Sequence, residues 1–128
     1  MDRRVNGNGR TVLLVEDNED NRVVYATMLE HHGYRVMETG NGEDAVRLAE
    51  EGKPDLILMD ISMPGIDGWT ATERIRANPS TRDIPVVAVT ALALPEHRAR
   101  AESVDCDGYL TKPCEPRRIL QEVRSLIG

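Results

Sequence analysis

The sequence contains no phenylalanine, only two cysteines and no long apolar run. Cys106 and Cys114 are eight residues apart, a spacing that fits neither a Cys-x-x-Cys redox pair nor a zinc finger, so we expect two thiols. No stretch approaches the roughly 18 to 20 apolar residues of a transmembrane helix, and the polar residues 1–10 contain no apolar signal core. These absences predict a cytoplasmic protein without a membrane segment.

Positive charge is also scarce, since 16 Lys and Arg stand against 22 Asp and Glu, a net charge of −6 at pH 7. Such a balance opposes attraction to nucleic acid or to an anionic membrane. The length of 128 residues suits one domain, and 40% hydrophobic with 30% charged residues is typical of a folded one. We expect a flexible leader at residues 1–10 and one domain at residues 11–128.

Short apolar segments alternate with longer segments of helical periodicity. Strands are predicted at residues 11–16, 35–39, 55–60, 85–90 and 108–110. Residues 56–59 of the third strand and 86–89 of the fourth are apolar at every position, which is typical of parallel strands that helices cover on both faces. Five strand-helix units in succession predict a doubly wound α/β fold with a parallel sheet.

The helices have recognisable start and stop signals. Asn18 is a candidate N-cap for the first helix, in which Val24, Met28 and Leu29 are expected to face one way, and Gly33 is a candidate stop. Further helices are predicted at 42–51 (ending at Gly52), 66–77 and 95–104. The last helix carries one apolar stripe, made of Ile119, Leu120, Val123, Leu126 and Ile127.

Polar residues gather where the predicted strands end. Glu16 and Asp17 close the first strand, Asp60 the third and Thr90 the fourth, and Lys112 follows the fifth. In this architecture ligands bind outside the carboxyl ends of the strands. Carboxylates about 5 Å apart would repel by roughly 3 kcal/mol per pair at an effective dielectric near 20, so a positive partner is needed. Mg²⁺ suits this oxygen-rich site best, with a second positive charge from the lysine.

These groups predict phosphoryl chemistry. The Asp60 carboxylate would attack phosphorus, Mg²⁺ and Lys112 would neutralise the phosphoryl oxygens, and the Thr90 hydroxyl would orient one of them. Singly, each acid is most simply an exposed strand-end residue. Their joint placement at one sheet edge favours a functional site.

Four segments around these residues form a recognisable combination. They read Val15-Glu16-Asp17-Asn18, Leu58-Met59-Asp60-Ile61-Ser62-Met63-Pro64-Gly65-Ile66-Asp67-Gly68, Pro85-Val86-Val87-Ala88-Val89-Thr90-Ala91 and Gly108-Tyr109-Leu110-Thr111-Lys112-Pro113. Together they resemble a two-component response-regulator receiver domain, over about Thr11 to Ile127. The resemblance implies a flavodoxin-like five-stranded parallel sheet of order 2-1-3-4-5. It also implies a regulatory phosphoacceptor that catalyses only its own phosphorylation and dephosphorylation.

The resemblance further implies a role for each matching residue. Asp60 would receive the phosphoryl group from a histidine kinase or phosphotransfer protein. Asp17, Asp60 and the Ser62 backbone carbonyl would ligate Mg²⁺, with Glu16 acting through water. Thr90 and Tyr109 would form a switch pair that alters a surface for a downstream protein target.

The Lys112-Pro113 peptide would be cis, which only X-Pro bonds adopt cheaply. Glu16 stands where the family often has Asp, and Cys114 where a larger apolar residue is common. We hypothesise that apolar Leu92, two residues after Thr90, lengthens the phosphoryl lifetime. A Leu92→Glu variant that lost phosphate no faster would argue against this.

Three other interpretations stay open, and the sequence disfavours them to different extents. A Mg²⁺-dependent phosphohydrolase with an Asp nucleophile would need an acidic residue two positions after Asp60, where Ser62 stands. A flavin-binding flavodoxin is disfavoured by the acidic first strand end and by few aromatics. A receiver domain excised from a larger hybrid histidine kinase is the organisational alternative. The leader that starts at Met1 and the short end at Gly128 favour a free-standing protein. We expect this protein to be a monomer or weak homodimer.

Overall fold

The computed structural model describes residues 9–63, 65–91 and 94–128, within which five strands alternate with five helices. The strands are β1 Thr11–Val15, β2 Arg35–Thr39, β3 Leu56–Asp60, β4 Val86–Thr90 and β5 Gly108–Thr111. The helices are α1 Glu19–His31, α2 Gly42–Gly52, α3 Gly68–Ala77, α4 Pro95–Ser103 and α5 Pro116–Ile127. All pairings are parallel, in the order β2-β1-β3-β4-β5. The predicted doubly wound, flavodoxin-like sheet is therefore confirmed.

Some predictions concern residues beyond the described ranges. Residues 1–8 of the expected leader, Pro64 of the third-strand segment and Leu92 lie outside them. Among the described helices, none has both the length and the apolar content that crossing a bilayer requires.

The sheet is buried on both faces. Every residue of β3 and β4 is buried, which explains why both strands are apolar up to their last residues, Asp60 and Thr90. Side chains on one face pack under α1 and α5, and those on the other face pack under α2, α3 and α4. The two-sided core holds the strand ends at fixed spacing, which the functional groups at that edge require.

Three boundaries near that edge differ from the prediction, one of them the end of β5, which extends by one residue to Thr111. β1 ends at Val15, so Glu16 begins the following loop, although its N–H still donates to the Thr39 carbonyl at 3.0 Å. α3 begins at Gly68 rather than at residue 66, because the Asp67 carboxylate caps it by accepting from the Thr70 N–H at 2.8 Å. A Cβ on Gly68 would collide with the Asp60 carbonyl, so the helix start packs directly on the end of β3.

α1 and α2 also depart from the prediction in detail. Val24 is 50% exposed, so it does not share the buried face of Leu29 as predicted; Tyr25 faces inward and donates to the Cys114 carbonyl at 2.9 Å. Gly33 takes the expected positive φ of 93°. At the end of α2 the left-handed conformation belongs to Lys53, with φ of 45°, and not to Gly52.

Arg76 of α3 forms hydrogen bonds with the loop before β4 and with the loop before β5. Its guanidinium donates to four carbonyl oxygens and one carboxylate at 2.7 to 3.2 Å, those of Arg82, Ile84, Val104, Asp105 and Asp107. We expect Arg76→Ala to lower the free energy of unfolding by about 3 kcal/mol, because five acceptors lose their donor and two of them, the Ile84 and Val104 carbonyls, lie in partly buried contacts.

Urea denaturation measures this change, and the exposed Arg74 of the same helix supplies the matched control. Arg74→Ala should shift stability by no more than about 0.5 kcal/mol. Equal effects of the two substitutions would show that the Arg76 contacts contribute nothing beyond helix propensity.

Candidate functional site

Three acidic residues converge at the carboxyl edge of the sheet, as predicted. Glu16, Asp17 and Asp60 each present a carboxylate oxygen within 4.8 Å of the others. Glu16 and Asp60 are each only 2% exposed, while Asp17 faces solvent. Because hard divalent cations prefer carboxylate oxygens, and because the cluster opens to solvent on one side, these residues fit Mg²⁺.

Lys112 neutralises part of this negative charge. Its Nζ lies 3.2 Å from Asp60 Oδ2 and 3.1 Å from Glu16 Oε1. The backbone N–H of Lys112 donates to the Thr90 carbonyl at 2.8 Å, which places the residue just beyond β5. The Lys112–Pro113 peptide is cis, as the resemblance implied. Burial opposes the charged lysine, but Asp60 and Glu16 outweigh it and hold the pKa of Lys112 above its usual value.

Asp60 occupies an environment that disfavours its charge. Burial raises the pKa of Asp60 to about 7, Lys112 opposes the rise, and the neighbouring Glu16 adds to it. The Ser62 N–H donates to Asp60 Oδ1 at 3.1 Å, which places the Ser62 backbone beside the carboxylate. One lysine between two buried carboxylates leaves net negative charge, so the site favours a further cation.

The Glu16 segment is held by contacts that sequence analysis missed. Glu16 Oε2 accepts from the Asn18 N–H at 3.1 Å, and Arg22 Nη1 donates to the Glu16 carbonyl at 2.8 Å. The Arg22 side chain also pairs with Glu38 at 3.6 Å. Asn18 additionally caps α1 as predicted, by accepting from the Asn21 N–H. Arg22, in the first turn of α1, therefore holds the backbone of the loop that carries Glu16.

Thr90 and Tyr109 both face the α4 side of the sheet. The Thr90 side chain is fully buried, and its Oγ1 lies 3.4 Å from Nδ1 of His97. Tyr109 is half-buried, with the guanidinium carbon of Arg98 lying 4.9 Å from its ring centre. Within the described part of the chain, the buried Tyr109 hydroxyl has no hydrogen-bond partner. No sequence pattern indicates the contact between His97 and Thr90.

The raised pKa of Asp60 predicts a pH-dependent stability difference. An acid whose pKa is higher in the folded than in the unfolded chain makes folding less favourable as pH rises from about 4 to about 7. In metal-free buffer we therefore expect Asp60→Asn to be more stable than the wild type by about 1–2 kcal/mol at pH 8, after allowance for solvent screening. The difference should be smaller at pH 5.

Urea denaturation of both proteins at the two pH values measures this, because titrations elsewhere in the chain cancel in the comparison. A stability difference that is unchanged or larger at pH 5 would show that Asp60 is readily ionised in the folded protein.

Comparison with known proteins gives one consistent family. The model of the response regulator receiver domain matches residues 12–124. The polar-differentiation response regulator DivK of Brucella anthropi is 38% identical over 119 residues, which cover 93% of this chain and 97% of that protein.

Solved structures agree in fold and in sequence. The receiver domain of the sensor histidine kinase PA1611 of Pseudomonas aeruginosa, described with a magnesium ion in its active-site cleft, superimposes with a TM-score of 0.85 and 40% identity. That match covers 94% of this chain and 98% of the other. The chemotaxis protein CheY4 of Vibrio cholerae has a TM-score of 0.87 and 25% identity, over 92% and 98% of the two chains.

Proposed function

Since this chain belongs to the response regulator receiver domain family, a family of phosphoacceptor signalling domains, we propose that Asp60 is its phosphoacceptor. One observation carries the assignment. Asp60 is the buried carboxylate at which the other acids and Lys112 meet, with Glu16 and Asp17 within 4.8 Å and Lys112 Nζ at 3.2 Å. A carboxylate that was only an exposed strand-end residue would not be buried beside two other acids and a lysine.

The phosphoryl donor is a phosphohistidine on a histidine kinase or phosphotransfer protein. An oxygen of Asp60 attacks phosphorus, a new O–P bond forms, and the N–P bond breaks as the donor imidazole leaves with the electron pair. The product is an acyl phosphate. Because positioning and charge stabilisation dominate this type of reaction, the roles of the surrounding residues are electrostatic.

Lys112 stabilises charge on the transferred group. Its ammonium, fixed between Glu16 and Asp60, can turn to a phosphoryl oxygen through a short movement of Nζ. Glu16, Asp17, Asp60 and the Ser62 backbone carbonyl would hold Mg²⁺, with Glu16 acting through water. When bound, this ion supplies positive charge that the phosphoryl oxygens need.

Thr90 and Tyr109 carry the signal away from Asp60. The new group adds about −1.5 to −2 charge, as phosphate does elsewhere in proteins, and its oxygens attract the Thr90 hydroxyl. Movement of Thr90 and Tyr109 then biases two pre-existing arrangements of the surface formed by α4, β5 and α5. A downstream protein target would distinguish the two arrangements.

The other assignments follow from this one. The receiver domain occupies residues 11–128, supported by the elements β1 to α5. Its chemistry is confined to its own phosphorylation and dephosphorylation, with no external substrate. The cytoplasm is the proposed location, and the two free thiols suit its reducing conditions. The absence of nucleic-acid binding stays a prediction from the negative net charge, and a monomer or weak homodimer is the oligomeric state that we propose.

A second organisation is a receiver domain within a larger hybrid kinase. The 40% identity to the receiver domain of a sensor histidine kinase favours this alternative, just as the similarity to DivK favours a free-standing regulator. Both share the chemistry of Asp60. The genomic sequence on both sides of this segment distinguishes them, because a free-standing regulator requires a start codon at Met1 as well as a stop codon after Gly128, whereas a kinase continues on at least one side.

Incubation with Mg²⁺ and acetyl phosphate, followed by intact mass measurement, tests the function. We expect an adduct of about 80 Da, the mass of one phosphoryl group on an activated nucleophile. Multiple turnover of phosphate esters without an adduct would instead indicate a phosphohydrolase.

A further inference from the structure

His97 occupies a constrained position in the first turn of α4. Its backbone N–H donates to the Leu94 carbonyl at 3.0 Å, and Pro95 starts the helix. The His97 ring lies edge-on to Trp69, with 5.9 Å between ring centres and an interplanar angle of 66°. Trp69 is itself buried against the sheet. The imidazole is thus held between α3 and the end of β4.

The ring nitrogen that faces the sheet meets the hydroxyl of Thr90. Nδ1 and Oγ1 are 3.4 Å apart, at the long end of the hydrogen-bonding range. The backbone at Thr90 is anchored by the Lys112 N–H, so a change in the hydroxyl position requires rotation of the side chain. A threonine hydroxyl has a single proton and can donate it to only one acceptor at a time.

We propose that His97 is a positioning residue, which accepts the Thr90 hydroxyl proton at Nδ1 and so competes with a phosphoryl group on Asp60. This inference rests on the proposed role of Thr90. In the unphosphorylated chain the hydroxyl is retained against α4. After phosphorylation the hydroxyl donates to a phosphoryl oxygen and the His97 contact is lost.

The competition between His97 and the phosphoryl group connects Asp60 to α4 through His97 and the residue that follows it. Arg98, directly after His97, packs over the ring of Tyr109 at 4.9 Å. Loss of the Thr90–His97 contact therefore changes the restraint on the same helical turn that covers Tyr109. The strength of the Thr90–His97 hydrogen bond therefore determines how much of the free energy of the Thr90–phosphoryl interaction is used to break this contact with α4.

Two substitutions separate hydrogen bonding from packing. His97→Phe keeps an aromatic ring against Trp69 but removes Nδ1, whereas His97→Asn places an acceptor near the Nδ1 position without the ring. The probe is beryllium fluoride in the presence of Mg²⁺, a mimic of the phosphoryl group, and fluorine NMR measures its equilibrium affinity. We expect His97→Phe to bind the probe about five-fold more tightly, the effect of one competing hydrogen bond. His97→Asn should stay within about two-fold of the wild type for the same reason.

The Thr90→Ala background shows whether His97 acts through Thr90. There we expect His97→Phe to cause no further change in probe affinity, because the hydroxyl for which the two acceptors compete is absent. The proposal is overturned if His97→Phe, in the chain that retains Thr90, leaves the affinity for beryllium fluoride unchanged or lowers it. It is also overturned if His97→Asn behaves as His97→Phe does, or if the effect persists without the Thr90 hydroxyl.

Failure of the proposed function gives a different result. In that case the wild-type chain binds no beryllium fluoride and forms no acetyl phosphate adduct. A wild type that binds the probe, with His97 variants that all bind equally, overturns the role of His97 alone.

Discussion

We expect the Asp60→Asn variant to take up no phosphoryl group from acetyl phosphate, under conditions in which the wild type gains about 80 Da. An amide cannot form the acyl phosphate. The substitution preserves side-chain size, so the fold should remain intact and, from the raised pKa of Asp60, become more stable at pH 8. Loss of the adduct would therefore report chemistry rather than unfolding.

Asp67→Asn is the matched control, since it changes the same residue type at the nearby N-cap of α3. Asparagine caps helices about as well as aspartate, so this variant should be phosphorylated normally. An adduct of full size on Asp60→Asn would place the phosphoacceptor at another residue and contradict the assignment.

We expect Lys112→Met to slow adduct formation by about 10²- to 10³-fold, the usual effect of removing one fixed donor from a developing anion. Methionine retains much of the apolar stem but has no charge. Without the ammonium, Glu16 and Asp60 face each other as buried carboxylates. Metal-free Lys112→Met should therefore also lose about 2 kcal/mol of unfolding free energy, less than a fully enclosed pair would lose because Lys112 is 19% exposed.

Arg118→Met controls for the change in net charge, because Arg118 pairs with Glu122 on the exposed side of α5. It should phosphorylate at the wild-type rate and be destabilised by no more than about 0.5 kcal/mol. Stopped samples analysed by intact mass give the rates. A Lys112→Met rate within about three-fold of the control would show that Lys112 stabilises no charge in the reaction, well short of the loss expected for a fixed donor.

The acid cluster and Lys112 were predictable from the sequence because the fold imposes their positions. Apolar strands covered on both faces indicate a parallel sheet, and parallel strands bring their carboxyl ends to one edge. Glu16, Asp17, Asp60 and Lys112 needed only correct strand ends to be placed together. An error of one residue at the end of β1 left that placement unchanged.

The contacts of the helices could not be predicted in the same way. His97 meets Thr90 because of the rotation of α4 and its distance from the sheet, and both depend on packing against Trp69. Apolar character alone groups Val24 with Leu29, but α1 turns Tyr25 to the core, where its hydroxyl reaches the Cys114 carbonyl. Arg22 supports Glu16 through a backbone carbonyl, for which a sequence has no residue-specific pattern.

Chemical identification of the phosphorylated residue is the most direct test of Asp60 as the phosphoacceptor. Acetyl phosphate is supplied to the wild-type chain with either Mg²⁺ or EDTA, borohydride then reduces any acyl phosphate to the alcohol, and peptide sequencing identifies the modified residue. If Asp60 is the Mg²⁺-dependent phosphoacceptor, homoserine appears at position 60 alone, and only in the sample with Mg²⁺. Modification at any other residue, or equal modification of Asp60 in EDTA, would contradict it.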